Sequence, residues 1–135
     1  MTLEEEFNSL FKGSDIAHGT YVINGSRESD GKKQGTAKVI REPPSPELWR
    51  NHLKGGTGLG IIPIRSDNTC QWGAIDIDEY DIEHKILVQT LRSNKIPAVV
   101  GRTKSGGAHV WIFLTEPVDA ADMQGRLTEL AAALG

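Results

Sequence analysis

The chain has 135 residues, a net charge of −3 and a single cysteine, a size and composition typical of one ordinary soluble globular domain. The lone Cys70 excludes an internal disulfide and any zinc cluster built from cysteines. No apolar run is long enough to span a membrane, and the acidic start Met-Thr-Leu-Glu-Glu-Glu is unlike a signal peptide. A cytoplasmic location is therefore the default expectation.

The charge balance argues against a generic basic nucleic-acid binder. Residues 12–65 carry nine Lys and Arg against five Asp and Glu, whereas residues 66–135 carry six against ten. A weakly basic first half and an acidic second half suit a polyanionic substrate, but random variation of surface charge explains the difference equally well.

The first half predicts two short helices and several strands. Apolar spacing indicates a helix over residues 2–12, with Thr2 and Glu5 forming a capping box and Gly13 suited to its end. Ser45 and Pro46 begin a second helix that turns Leu48, Trp49 and Leu53 inward. Strands are expected over residues 20–23, closed by Asn24-Gly25, over residues 36–40 and over residues 61–64, and residues 26–35 are expected to form a loop.

The glycine run over residues 54–60 matches neither the Walker spacing nor the dinucleotide fingerprint. A tight turn is therefore favoured over a phosphate cradle. Residues 61–64 are then expected to form a hairpin with the strand that follows the Ser66-Asp67-Asn68 turn.

The second half predicts strand, helix, strand, strand and helix. Residues 81–94 read as a helix with Ile82, Ile86, Leu87 and Leu91 inward, and residues 97–101 and 109–114 read as strands. Pro117 introduces a last helix whose apolar stripe is Met123, Leu127, Leu130, Ala131 and Leu134.

This order predicts an α+β fold for residues 70–135. It is the ferredoxin-like or RNA-recognition-motif unit, an antiparallel sheet with helices on one face, without its final strand. Residues 1–69 would add a helix and a small hairpin module, and both parts would form one compact unit of a larger catalytic domain. The free sheet edge left by the missing strand would be covered by residues 61–64, by a partner chain or by a missing C-terminal region.

The first candidate site is the strand Trp72-Gly-Ala-Ile-Asp-Ile-Asp78. Since side chains alternate along a strand, Asp76 and Asp78 share one face, with Cα atoms roughly 6.5–7 Å apart. Both carboxylates can then converge on a divalent cation. The alternative, a solvated strand end that leads into a helix, is equally open from this strand alone.

The second candidate site is the turn Lys104-Ser-Gly-Gly-Ala-His109, with Arg102 just before it. Cations, backbone amides, a hydroxyl and an imidazole are the groups expected around a triphosphate, and Gly106 and Gly107 allow close approach. A flexible turn with a histidine at the edge of the core would be favoured for this segment alone. The balance reverses because the predicted fold places the first strand beside the third, and hence Asp76 and Asp78 beside His109. Trp111 and Phe113 share the face of His109, where a core role is favoured over base stacking.

Together these stretches resemble the archaeo-eukaryotic primase superfamily, and most closely the primase-like domains of TOTE conflict systems and of CRISPR-associated primase-polymerases. Asp76-Ile-Asp78 matches the first motif of the superfamily, and Ser105 through His109 matches the second. The resemblance covers about residues 18–135.

The resemblance implies a metal-dependent nucleotidyltransferase. Asp76 and Asp78 would hold Mg²⁺ or Mn²⁺, and His109, Ser105, Lys104 and Arg102 would grip a nucleoside triphosphate beside a DNA or RNA template and primer. The superfamily carries a third acidic motif on the strand after the last helix, and this chain ends before it. Asp119, Asp122 and Glu129 do not replace it, so the expected domain binds nucleotide or metal more readily than it polymerises.

Two further functions remain open. A non-catalytic RNA-recognition-like module, or an inhibitor built from it, explains the fold and the aromatics but leaves Asp76 and Asp78 repelling phosphates. A metal-dependent nuclease or phosphoesterase would use Asp76, Asp78 and His109 without needing nucleoside triphosphates.

Overall fold

The computed structural model describes residues 1–27, 33–79 and 81–134. The chain divides into two compact units, Met1–Thr69 and Cys70–Gly135. Within the described ranges, we find no helix with the length and apolar character needed to cross a membrane.

The first unit consists of two helices and a three-stranded sheet. Its elements are α1 (Leu3–Leu10), β1 (His18–Arg27), β2 (Lys33–Ile40), α2 (Pro46–Leu53) and β3 (Gly58–Gly60). The sheet order is β2-β1-β3, with β1 antiparallel to both neighbours. Both predicted helices are therefore confirmed.

The two helices begin where the sequence predicts, because side chains satisfy their first backbone donors. The Thr2 hydroxyl accepts from the Glu5 amide at 3.3 Å, and the Glu5 carboxylate accepts from the Thr2 amide at 3.0 Å, a complete capping box. The Ser45 hydroxyl likewise accepts from the Leu48 amide at 3.3 Å.

An aromatic cluster holds α1 against α2. The rings of Phe7 and Trp49 are 5.1 Å apart between centroids, and Trp49 is buried as predicted. Arg50 Nε donates to Glu4 Oε1 at 2.8 Å, which adds an ion pair between the same two helices. Leu53, expected to face inward, is 41% exposed, which corrects that prediction.

Two strand predictions in this unit are wrong. Residues 61–64 do not form a strand, so the hairpin expected after the Ser66-Asp67-Asn68 turn is absent from the described residues. Instead, Gly58–Gly60 forms β3 and pairs with β1, with Gly60 opposite Gly19. Pro63 offers no backbone donor for a ladder, and the Arg65 amide donates to the Thr69 carbonyl at 2.8 Å to close the following loop.

The strand expected over residues 20–23 is longer at both ends. It does not close at Asn24-Gly25 but continues to Arg27, with a shift of register after Ile23. The returning strand β2 is confirmed and starts at Lys33. The remainder of the predicted loop, residues 28–32, lies outside the described residues.

The second unit follows the predicted order of strand, helix, strand, strand and helix. Its elements are β4 (Thr69–Ile77), α3 (His84–Ser93), β5 (Ala98–Arg102), β6 (Ala108–Asp119) and α4 (Ala120–Leu134). The sheet order is β4-β6-β5, so the first strand lies beside the third as expected, and the α+β class is confirmed.

Residues of the sheet and of both helices supply the core of this unit. Leu91, Val110 and Met123 are buried, and Gly73 lies directly against the side chains of Met123 and Leu127. These contacts place α4 over β4, on the face opposite Asp76.

Three details of the second unit differ from prediction. Pro117 lies within β6, which extends past the last β5 pair at Ile112, so the helix begins only at Ala120. Ile86 is 59% exposed and Ala131 is also exposed, although both were expected to face inward. The helix predicted over residues 81–94 begins at His84, so Ile82 precedes it.

Candidate functional site

Strand β4 presents Asp76 to solvent and anchors it from behind. The Asp76 side chain is 71% exposed, whereas Ile75 and Ile77 on either side are partly buried. Asp78 follows directly after the last residue of β4 and is also exposed. Because side chains alternate along the strand, the partly buried isoleucines hold the backbone at Asp76 while its carboxylate remains accessible to ligands.

His109 lies next to Asp76 on the neighbouring strand β6. His109 Nε2 is 3.6 Å from Asp76 Oδ1, and its side chain is 44% exposed. This distance is too long for a hydrogen bond but allows an ion pair when the imidazole is protonated. The rings of His109 and Trp111 meet edge to face with 5.4 Å between centroids, so the imidazole also packs against an aromatic neighbour on its own strand. The structure thus brings together one residue from each predicted motif.

The turn between β5 and β6 carries the other predicted ligands. Arg102 pairs with Ala108 at the last rung of the hairpin, and the Thr103 amide donates to the Gly107 carbonyl at 3.1 Å. Gly106 has φ of 91°, a conformation that favours glycine. Arg102, Lys104 and Ser105 are exposed around this turn. Two cations and a hydroxyl are therefore available on a backbone fixed at both ends.

Gly107 joins this turn to the end of β4. A Cβ on Gly107 would overlap the Ile77 carbonyl, the peptide oxygen between the two aspartates. Only glycine allows this approach, which sets the turn against the acidic strand end. The Gly107 carbonyl is also 2.8 Å from His84 Nε2. Sequence reasoning did not single out His84, since a histidine at the start of a helix has no periodic or motif signal.

A groove of about 500 Å³ lies among the end of β4, α3 and α4. Its lining combines apolar residues of β4, α3 and α4 with several carboxylates. The acidic lining residues are Asp76, Asp78, Glu79, Asp81 and Glu83. Both predicted metal ligands are therefore among the residues that line this groove.

The remaining acidic residues considered from the sequence lie elsewhere in the unit. Asp119 ends β6, and Asp122 and Glu129 lie on α4, where Glu129 is 3.6 Å from Arg126. Over residues 1–27, 33–79 and 81–134, no three His, Cys, Asp or Glu side chains are grouped so that they could enclose a metal ion.

Comparison with known proteins identifies the family. The family model of the archaeo-eukaryotic primase domain of TOTE conflict systems matches residues 6–134. The chain belongs to this primase family. The resemblance inferred from the two motifs is confirmed. The comparison with curated proteins yielded no match.

The donor set of this primase domain suits a hard divalent cation. Mg²⁺ is usually bound through one or two carboxylates, with waters and substrate phosphates completing its coordination, so a protein cage of three ligands is not required. Asp76 and Asp78 offer carboxylate oxygens at an exposed strand end, and the family is generally metal-dependent. The residues present therefore fit such an ion.

Proposed function

We propose that this primase domain is a metal-dependent nucleotidyltransferase that transfers a nucleotide from a nucleoside triphosphate to a 3′-hydroxyl. The observation that carries the proposal is the 3.6 Å separation of Asp76 Oδ1 and His109 Nε2. This separation supports the proposal, because the residue proposed as a metal ligand then lies beside the residue proposed as a triphosphate ligand on one sheet surface.

In this proposal Asp76 and Asp78 hold Mg²⁺ or Mn²⁺. The cation would neutralise charge on the triphosphate and on the attacking oxygen. The exposure of both carboxylates supports this role, because phosphate oxygens and water can reach them without any movement of the core.

The β5–β6 turn holds the triphosphate in this proposal. Lys104 and Arg102 supply positive charge, Ser105 supplies a hydroxyl, and the backbone of Gly106 and Gly107 lies close to the phosphates. His109 donates to a phosphate oxygen from the strand that follows the turn. These residues orient the α-phosphorus so that attack by the 3′-hydroxyl releases pyrophosphate.

A DNA or RNA template and its primer are the polymeric partners of this proposed reaction. We also propose that the units Met1–Thr69 and Cys70–Gly135 both belong to one catalytic domain, with the motifs of the site carried by the second unit.

The proposal is tested by incubating the chain with a primed template, labelled nucleoside triphosphates and Mn²⁺. We expect incorporation that depends on template and metal and that is lost in Asp76→Asn. Cleavage of an end-labelled primer or template with Mn²⁺ and without added triphosphate would instead establish a nuclease. Template binding that resists chelators and tightens in Asp76→Asn would establish a non-catalytic binding module.

A further inference from the structure

The imidazole of His84 connects α3 to the β5–β6 turn. His84 is the first residue of α3, and its Nε2 lies 2.8 Å from the Gly107 carbonyl, 23 residues further along the chain. Since a carbonyl oxygen can only accept, Nε2 must carry the proton and donate. His84 is partly buried.

The contact between His84 and Gly107 bears on the proposed nucleotide site because of where Gly107 lies. Gly107 lies between Ser105 and His109, two of the proposed triphosphate ligands, and its Cα packs on the Ile77 carbonyl at the end of β4. Its own carbonyl accepts from the Thr103 amide at 3.1 Å and from His84. The second donor comes from outside the hairpin, so it fixes the turn relative to α3.

We infer that His84 is a positioning residue for the nucleotide site, which holds the β5–β6 turn against the acidic strand end through the Gly107 carbonyl. This inference rests on the proposed function. His84 itself touches neither phosphate nor metal. It limits the movement of the turn and so maintains the spacing between Ser105, His109 and the carboxylate of Asp76.

The consequence for binding follows from the energetics of one hydrogen bond. Removing the imidazole leaves the Gly107 carbonyl with the Thr103 donor, so the chain should still fold. The freed turn must be ordered again when a triphosphate binds, and we expect ATP affinity to fall by about three- to tenfold, the range of one neutral hydrogen bond.

The experiment compares His84→Ala, His84→Gln and Gln89→Ala with the wild-type chain. Binding of ATP with Mg²⁺ is measured by titration calorimetry, and amide hydrogen exchange is followed over residues 103–108. Glutamine carries an amide donor near the position of Nε2, and Gln89 is an exposed, uncharged residue of the same helix. We expect weaker ATP binding and faster exchange in His84→Ala, recovery in His84→Gln, and no change in Gln89→Ala.

The possible results separate the inference from the proposed function. Unchanged ATP affinity in a folded His84→Ala variant would overturn the role of His84 while leaving the nucleotide site intact. If the wild-type chain binds no ATP, the proposed function and the assignment of His84 to a nucleotide site both fall. Should His84→Ala not fold, His84→Gln is compared with His84→Asn, whose side chain is one carbon shorter. Equal ATP affinity in these two variants would also overturn the positioning role of His84.

Discussion

At the scale of single residues, Asp76 has two properties that are usually in conflict. It lies on a strand whose neighbouring isoleucines are partly buried, yet its carboxylate is 71% exposed and lies 3.6 Å from His109 Nε2. A solvated carboxylate makes little contribution to stability through such a pair. The exposed carboxylate of Asp76 is therefore better explained by a role in function than by a role in stability.

Asp76→Asn should keep the fold and lose metal-dependent binding. We expect the affinity for Mn²⁺-ATP to fall by about tenfold or more, since a charged ligand is replaced by a neutral one. The thermal midpoint should not change, because the side chain is exposed. Calorimetry with Mn²⁺-ATP and a melting curve measure both effects. Asp122→Asn, at an exposed carboxylate of α4, serves as the control, and equal losses in both variants would contradict the assignment.

Gly107 offers a second test at this scale. Gly107→Ala should destabilise the chain by about 1–3 kcal/mol, since its Cβ would overlap the Ile77 carbonyl and force the turn away from β4. The variant Gly125→Ala provides a contrast, because nothing lies within 4 Å of a Cβ there and the residue is inside α4. We expect that change to stabilise the chain by about 0.5–1 kcal/mol. Urea unfolding of both variants would show opposite signs.

At the scale of elements, the capping residues were the most reliable signals in the sequence. Thr2 with Glu5, and Ser45 with Pro46, predicted two helix starts that the structure confirms. The glycine-rich β3 was missed because glycine has low strand propensity, so its pairing is decided by tertiary contact with β1. Pro63 then explains why the apolar segment after β3 does not form the predicted strand.

The pair between α1 and α2 allows a prediction about pH. The hydrogen bond from Arg50 lowers the pKa of the Glu4 carboxyl below its ordinary value. The stabilisation is therefore present above the unfolded pKa and is lost as the pH falls through the lower folded pKa. An NMR titration should show the pKa of Glu4 returning upward in Arg50→Gln. An unchanged pKa in that variant would show that the two side chains do not interact in solution.

At the scale of the whole molecule, the order of strands and helices along the chain predicted which residues of the site lie together. No single local sequence pattern predicted this. The succession of strand, helix, strand and strand brings β6 beside β4, and hydrophobic spacing in the sequence predicted this order of elements. The adjacency of Asp76 and His109 follows from it. The contact between His84 and Gly107 could not be predicted from the sequence, because it depends on the orientation of one side chain toward a residue 23 positions away.

The most direct test of the proposed function locates a bound metal ion. A small amount of Mn²⁺ is added to the chain with ATP, and paramagnetic broadening of backbone amide signals is followed by NMR. We predict that signals of residues 76–78 and 107–109 broaden before those of the rest of the chain, and that Asp76→Asn abolishes this preference. Broadening centred on other residues, or uniform broadening, would contradict a metal and triphosphate site at the end of β4.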